Sequence, residues 1–115
     1  MQMTIAEHCA ILDRVASCHD RPLRAETVAA TKLLLPQFTV DAPYWFGLDG
    51  EGDLFVHWMK DGGDAYLSVE PTKLHLLIKI PGRPTVRIDD EPFDGVTLPP
   101  AIAAALQEYS QWRCK

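Results

Sequence analysis

The chain has 115 residues, 47% of them hydrophobic and 23% charged, with a formal net charge of −5. That length fits a single domain spanning residues 1–115, and the composition supports an ordinary core rather than disorder. The acidic balance argues against direct nucleic-acid binding, and no apolar run approaches the ~20 residues of a membrane span.

The N-terminal segment "MQMTIAEHCA" has neither a basic start nor a continuous apolar stretch. A cytoplasmic protein without a signal peptide is therefore expected. Cys9, Cys18 and Cys114 form an odd set without framework spacing, which suits reduced thiols.

From Thr4 to about Ser17, Ile5, His8, Cys9, Ile11, Leu12, Val15 and Ala16 share one side of a helical wheel. "HDRP" interrupts, with Asp20 placed to cap and Pro22 placed early in a second helix over roughly 22–35. Leu23, Ala30, Leu33 and Leu34 form its apolar side, and Pro36 ends it. The two would make a helical hairpin.

The period then changes to alternation, which predicts strands near 44–48, 54–59, 65–70, 73–80 and 85–89. Connections as short as "DGEGD", "KDGGD", "PT" and "PGRP" require antiparallel neighbours, hence a meander of four to five strands. Leu67, Val69, Leu74, Leu76, Ile78, Ile80, Val86 and Ile88 alternate onto one face that would receive the helices. Finally, "TLPPAIAAALQEYSQW" reads as a C-terminal helix with Ile102, Ala105, Leu106, Tyr109 and Trp112 on one side. The expected fold class is α+β.

Several motifs suggest chemistry without completing it. In "DGEGD", Asp49, Glu51 and Asp53 alternate as in an EF-hand loop. Leu54 nevertheless stands where that loop needs glycine, and Lys60 where it needs a bidentate carboxylate. The segment reads as a turn. On one continuous helix, His8 and His19 would lie roughly 16 Å apart, too far to share an ion. Cys9 and Cys18 would be about 13 Å apart, too far for a disulfide. No metal or cofactor site is expected.

His57 and His75 fall on the second and fourth strands, roughly 9 to 10 Å apart, with Tyr66 and Ser68 between them. A His–Ser–His arrangement can be drawn, but no nucleophile elbow or oxyanion loop accompanies it.

Two collective features follow from the meander. Alternate connections share one end of the sheet, which gathers Asp49, Glu51, Asp53, Glu70, Asp89, Asp90, Glu91 and Asp94 into an acidic rim beside Lys73. Such a rim either aids solubility or steers a basic partner. Trp45, Phe55, His57, Met59, Tyr66, His75 and Leu77 share the outer sheet face with Ser68, Glu70, Lys79 and Arg87, a composition more aromatic than a fully solvated face and suited to a protein interface. The competing expectation is that the C-terminal helix crosses over and covers that face.

The run "GLDGEGDLFVHWMKDGGDAYLSVEP" resembles a pattern in small, mostly uncharacterised bacterial and phage proteins. There a DG-type turn leads into a strand with a Trp and then a second short strand. The resemblance covers residues 47–71 and centres on Asp49–Gly50 and Trp58. This chain has Val-His-Trp where the pattern more often places an acid before Trp. The resemblance implies no reaction and no catalytic residues, only an accessory role such as regulation of a host or phage complex.

The expectation is a non-enzymatic protein-binding accessory or inhibitor, in homodimeric form or not, using the aromatic face and acidic rim. Its concrete form is an anti-CRISPR or immunity-like protein whose acids occupy a nucleic-acid-binding groove of the partner. The alternatives are a small-molecule binder or minor enzyme using His57 and His75, and a structural subunit of a larger assembly.

Overall fold

The computed structural model describes residues 3–17 and 23–112. Asp20 and Pro22, proposed to start the second helix, lie outside the described residues, as do Cys18, His19 and Cys114. Helix α1 spans Ile5–Ser17 and α2 spans Ala25–Leu34, followed by a 3₁₀ turn over Leu35–Gln37. The strands are β1 (Tyr44–Leu48), β2 (Leu54–Lys60), β3 (Gly63–Val69), β4 (Lys73–Lys79) and β5 (Val86–Pro92). Helix α3 spans Pro100–Gln111. The strands form one antiparallel sheet in chain order, so the expected α+β meander is the observed fold.

Local chemistry explains the boundaries. Thr4 and Glu7 form a reciprocal capping box: each backbone N–H donates to the other's side-chain oxygen at 3.1 Å. The bond from the Thr4 backbone holds the Glu7 carboxyl below its usual range. Pro36 does not stop α2 abruptly; it sits inside the 3₁₀ turn, where its missing N–H costs little. Asp61 and Gly62 both have positive φ, 50° and 83°, which is the primed turn that a two-residue hairpin favours. The β2–β3 turn is therefore tighter than "KDGGD" suggested, and Gly63 and Asp64 belong to β3.

Leu54, Val56 and Trp58 alternate inward on β2, Ala65, Leu67 and Val69 on β3, and Leu74, Leu76 and Ile78 on β4. All are buried, and one contiguous core joins them to Leu12 of α1, Ala30 and Leu34 of α2, and Ile102, Leu106 and Tyr109 of α3. Every helix thus packs on the same sheet face. Helix α3 starts at the end where Phe93 N–H donates to Thr72 O. It finishes at the other end, where Tyr109 Oη donates to Gly63 O at 2.9 Å. Burial at that contact pushes the Tyr109 hydroxyl pKa up to about 12. The C-terminal helix covers the core face and no described element covers the opposite one, which decides the choice the sequence left open.

The helical stripes are narrower than their apolar residues implied. Only His8 and Leu12 of α1 are buried, while Ile5 and, in α2, Leu33 are exposed. Two threonines, Thr27 and Thr31, take core positions in α2 instead. Val86 is also exposed although it lies on the core face. An apolar recess of about 250 Å³ separates it from α3, lined by Ile78, Ile80, Ala105 and Tyr109 among others.

His8 seals α1 onto β1. Its ring stacks on Tyr44 at 4.0 Å and meets Phe46 edge-on at 6.0 Å. Its Nδ1 and the Trp58 Nε1 are buried without a hydrogen-bond partner among the described residues. Burial lowers the His8 pKa from the ordinary 6.5, with Glu7 opposing the shift. The unfolded chain therefore takes up this proton at higher pH than the folded one. His8 costs nothing while neutral in both states. Its contribution turns against folding as pH falls below 6.5, until the folded ring also protonates. Urea unfolding of the native chain is expected to show stability falling between about pH 7 and pH 5, and His8→Phe is expected to flatten part of that fall. Parallel pH profiles for the two proteins would contradict this assignment.

Candidate functional site

The meander places the β1–β2 loop, the β3–β4 turn and the segment after β5 at one end of the sheet, as the rim requires. Most of its carboxylates, however, are bound within the chain. Asp49 Oδ1 accepts the N–H groups of Glu51 at 2.7 Å and Asp53 at 3.1 Å, which closes the loop. Asp94 Oδ1 accepts from Val96 at 2.8 Å and Thr97 at 2.7 Å, and these bonds hold its carboxyl below the usual range.

The expectation that Asp53 stands on the rim is corrected. Its side chain is buried, with Arg24 Nη1 donating at 2.6 Å and Thr27 Oγ1 donating at 2.5 Å. Arg24 also donates from Nη2 to Glu51 O, and its backbone N–H to Gly52 O. A buried carboxylate needs partners, and these pin α2 to the sheet. Asp53 is a structural anchor.

Asp90 and Glu70 are engaged on the other side of the rim. Lys73 Nζ lies 3.3 Å from Asp90 Oδ1, and His75 Nε2 lies 2.5 Å from Glu70 Oε2. Strand β5 runs to Pro92, further than expected, because it carries a bulge. The register jumps from Leu76–Ile88 to Leu74–Glu91, leaving Asp89 and Asp90 both opposite His75. Asp90 adopts φ +54°, and its N–H donates to His75 Nδ1 at 3.1 Å. Nδ1 is thus an acceptor, which assigns the proton to Nε2 and directs it at Glu70. Glu51, Asp89 and Glu91 have no salt-bridge partner among the described residues.

On the outer face, Trp45, Phe55, His57, Met59, Tyr66, His75 and Leu77 are brought together as expected by the register. His57 lies flat on Tyr66 at 4.3 Å and 8°, while Trp45 meets His57 edge-on at 4.7 Å. Phe55 tilts toward Tyr66 at 6.0 Å. It also leans over Gly47, where any Cβ would collide with its ring. This is a cross-strand reason for glycine at that position. The rings bury one another in part, yet Trp45 remains 43% and Met59 50% exposed. A shallow recess of about 200 Å³, bordered by Tyr66, Ser68, His75, Leu77, Arg87 and Asp89, continues the face toward β5.

The two histidines are not neighbours in the sheet. Strand β3 separates them, and His57 Nε2 is tied to Asp64 Oδ1 at 2.9 Å. Both nitrogens of His75 are used by Glu70 and Asp90. Among the described residues, Ser68 has no hydrogen bond to either ring, and no group of three His, Cys, Asp or Glu side chains could hold a metal ion. No helix among the described residues is long and apolar enough to cross a membrane. Comparison with protein-family models, curated proteins and solved structures finds no match.

Asp53 and Glu51 are separated by one residue and offer opposite outcomes. Asp53→Ala is expected to lower unfolding free energy by about 2 kcal/mol, through lost charge-assisted bonds to a largely buried group. Glu51→Ala is expected to change it by less than about 0.5 kcal/mol. Equal effects in denaturant titrations would contradict the division between anchor and surface acid.

Proposed function

We propose that this protein works by binding another protein through its outer sheet face, as an accessory or inhibitor subunit without catalysis of its own. The observation that carries this reading is the one-sided packing. Three helices share the core face, while the other face presents aromatic rings, Met59 and Leu77 with no described element above them. Aromatic residues, Met and Arg enriched over a flat surface are the composition of an interface core. Half-buried rings already fixed by stacking lose little conformational freedom on docking.

The rim is the subordinate part of the surface. With Asp49, Asp53 and Asp94 bound within the chain, Glu51, Asp89 and Glu91 are the carboxylates best placed to meet a basic partner. Asp89 borders the recess on the outer face, so rim and face are continuous there. Charges at such a margin act mainly on association rate and its salt dependence. A cytoplasmic setting and an inhibitory target with a nucleic-acid groove belong to the same proposal.

A ligand-binding or catalytic reading draws less support, because β3 separates His57 from His75 and both nitrogens of His75 are engaged by Glu70 and Asp90. The test compares affinity purification with the native chain, Met59→Glu, and Glu26→Lys on the helical side. A partner lost roughly tenfold or more with Met59→Glu, and retained with Glu26→Lys, is the expected result. Equal recovery with all three proteins would contradict the reading. So would a saturable small-molecule stabilisation abolished by His57→Ala.

A further inference from the structure

The two edges of the sheet are built differently. β5 carries a bulge at Asp89 and Asp90, a terminal Pro92 and the charges Arg87, Asp89, Asp90 and Glu91. These are the devices by which an edge strand avoids pairing. β1, "YWFGL", has no charge, no proline and no bulge, and pairs with β2 in unbroken register. It is an unprotected edge.

Its free hydrogen-bonding groups can be assigned. Asp49 N–H donates to Asp53 O, which makes that pair hydrogen-bonded. Antiparallel ladders alternate, so Gly47–Phe55 and Trp45–His57 are the bonded pairs that follow along the strand. The N–H and C=O groups of Tyr44, Phe46 and Leu48 therefore point away from β2. No described residue makes a hydrogen bond to them. This set is symmetric about Phe46.

We infer that β1 pairs with β1 of a second copy, antiparallel and centred on Phe46, joining two sheets into one. Phe46 then faces its own counterpart, and Tyr44 faces Leu48 of the second copy, with each outward group satisfied. On the outer face, Trp45 falls opposite Gly47 of the second copy. There it finds no side chain, only the Phe55 ring that already leans over that glycine. The half-exposed indole thus gains an aromatic neighbour at both symmetric positions.

Charge selects the same arrangement. Each chain carries −5, with Asp49 and Glu51 in the loop that follows β1. Parallel edge pairing would set these loops side by side. Antiparallel pairing sends the two acidic rims to opposite ends of the joined sheet. A foreign strand would satisfy the same ladder, but it lacks the reciprocal fit of Trp45 to Gly47. The inference does not rest on the outer-face proposal, because it concerns the chain alone and is read by its mass.

Sedimentation of the purified chain over a wide concentration range, with residue-resolved amide exchange, tests it. The expected result is a monomer–dimer equilibrium in which Tyr44, Phe46 and Leu48 amides slow with concentration. Trp45 and Gly47, bonded to β2, should stay slow throughout. Trp45→Lys, and Leu48→Pro (which removes an outward N–H and none that is bonded to β2), are each expected to weaken the dimer about tenfold. Val86→Lys on β5 should leave it unchanged. The exchange pattern of the native chain decides the matter even if a variant fails to fold. A monomer at every concentration would overturn the inference. A dimer in which those three amides exchange freely would do so too. Protection gained only with a different protein would assign the edge to that protein instead.

Discussion

Everything in this fold depends on nine side chains from β2, β3 and β4 that alternate onto one face and are fully or almost fully buried there. Strand periodicity sends the intervening residues to the other face whatever their chemistry. A one-residue slip would put Trp58 and Leu67 in water and Met59 and Tyr66 under the helices. The register is therefore strongly specified, and the short connections leave only one order in which the strands can pair. The exposed face is a by-product of that specification, and its composition is what the proposed function rests on.

Polar chemistry is spent mainly on fixing this arrangement. Asp53 ties the start of α2 to the β1–β2 loop. Gln37 joins the end of α2 to the segment before α3, donating to Val96 O and accepting from Leu98 N–H. Ser110 accepts from Asp41 N–H, and Tyr109 reaches Gly63, so α3 is fastened at its far end. His75 holds the β5 bulge open through Asp90 while Glu70 orients its ring. These bonds link segments distant in sequence, and each removes a polar group from the set available to a partner. What remains accessible on the outer face is ring, thioether, a few carboxylates and the cations Lys79 and Arg87.

The element order, the meander and the inward residues of β3 and β4 were legible because alternation and turn chemistry act locally. The common end of the rim was legible for the same reason. The fate of individual acids was not: Asp53 looks like any loop carboxylate until Arg24 and Thr27 arrive from α2. Likewise nothing in "RIDDEPF" marks Asp89 and Asp90 as a bulge, since the signal lies in the His75 ring across the ladder. Leu33 and Ile5 are exposed because each helix shows the core only a narrow stripe, while Thr27 and Thr31 enter it. Thr31 does so by donating to Thr27 O, and Thr27 by donating to Asp53. The side taken by α3 was likewise undetermined, because its apolar stripe would fit either sheet face.

The measurement that bears most directly on this account is hydroxyl-radical footprinting of the native chain, read residue by residue. One-sided packing predicts strong oxidation at Trp45 and Met59, and protection at Trp58, Leu106 and Tyr109. Reactive Trp58 and Tyr109 with a silent Trp45 and Met59 would mean that the helices cover the other face, and the account would fail.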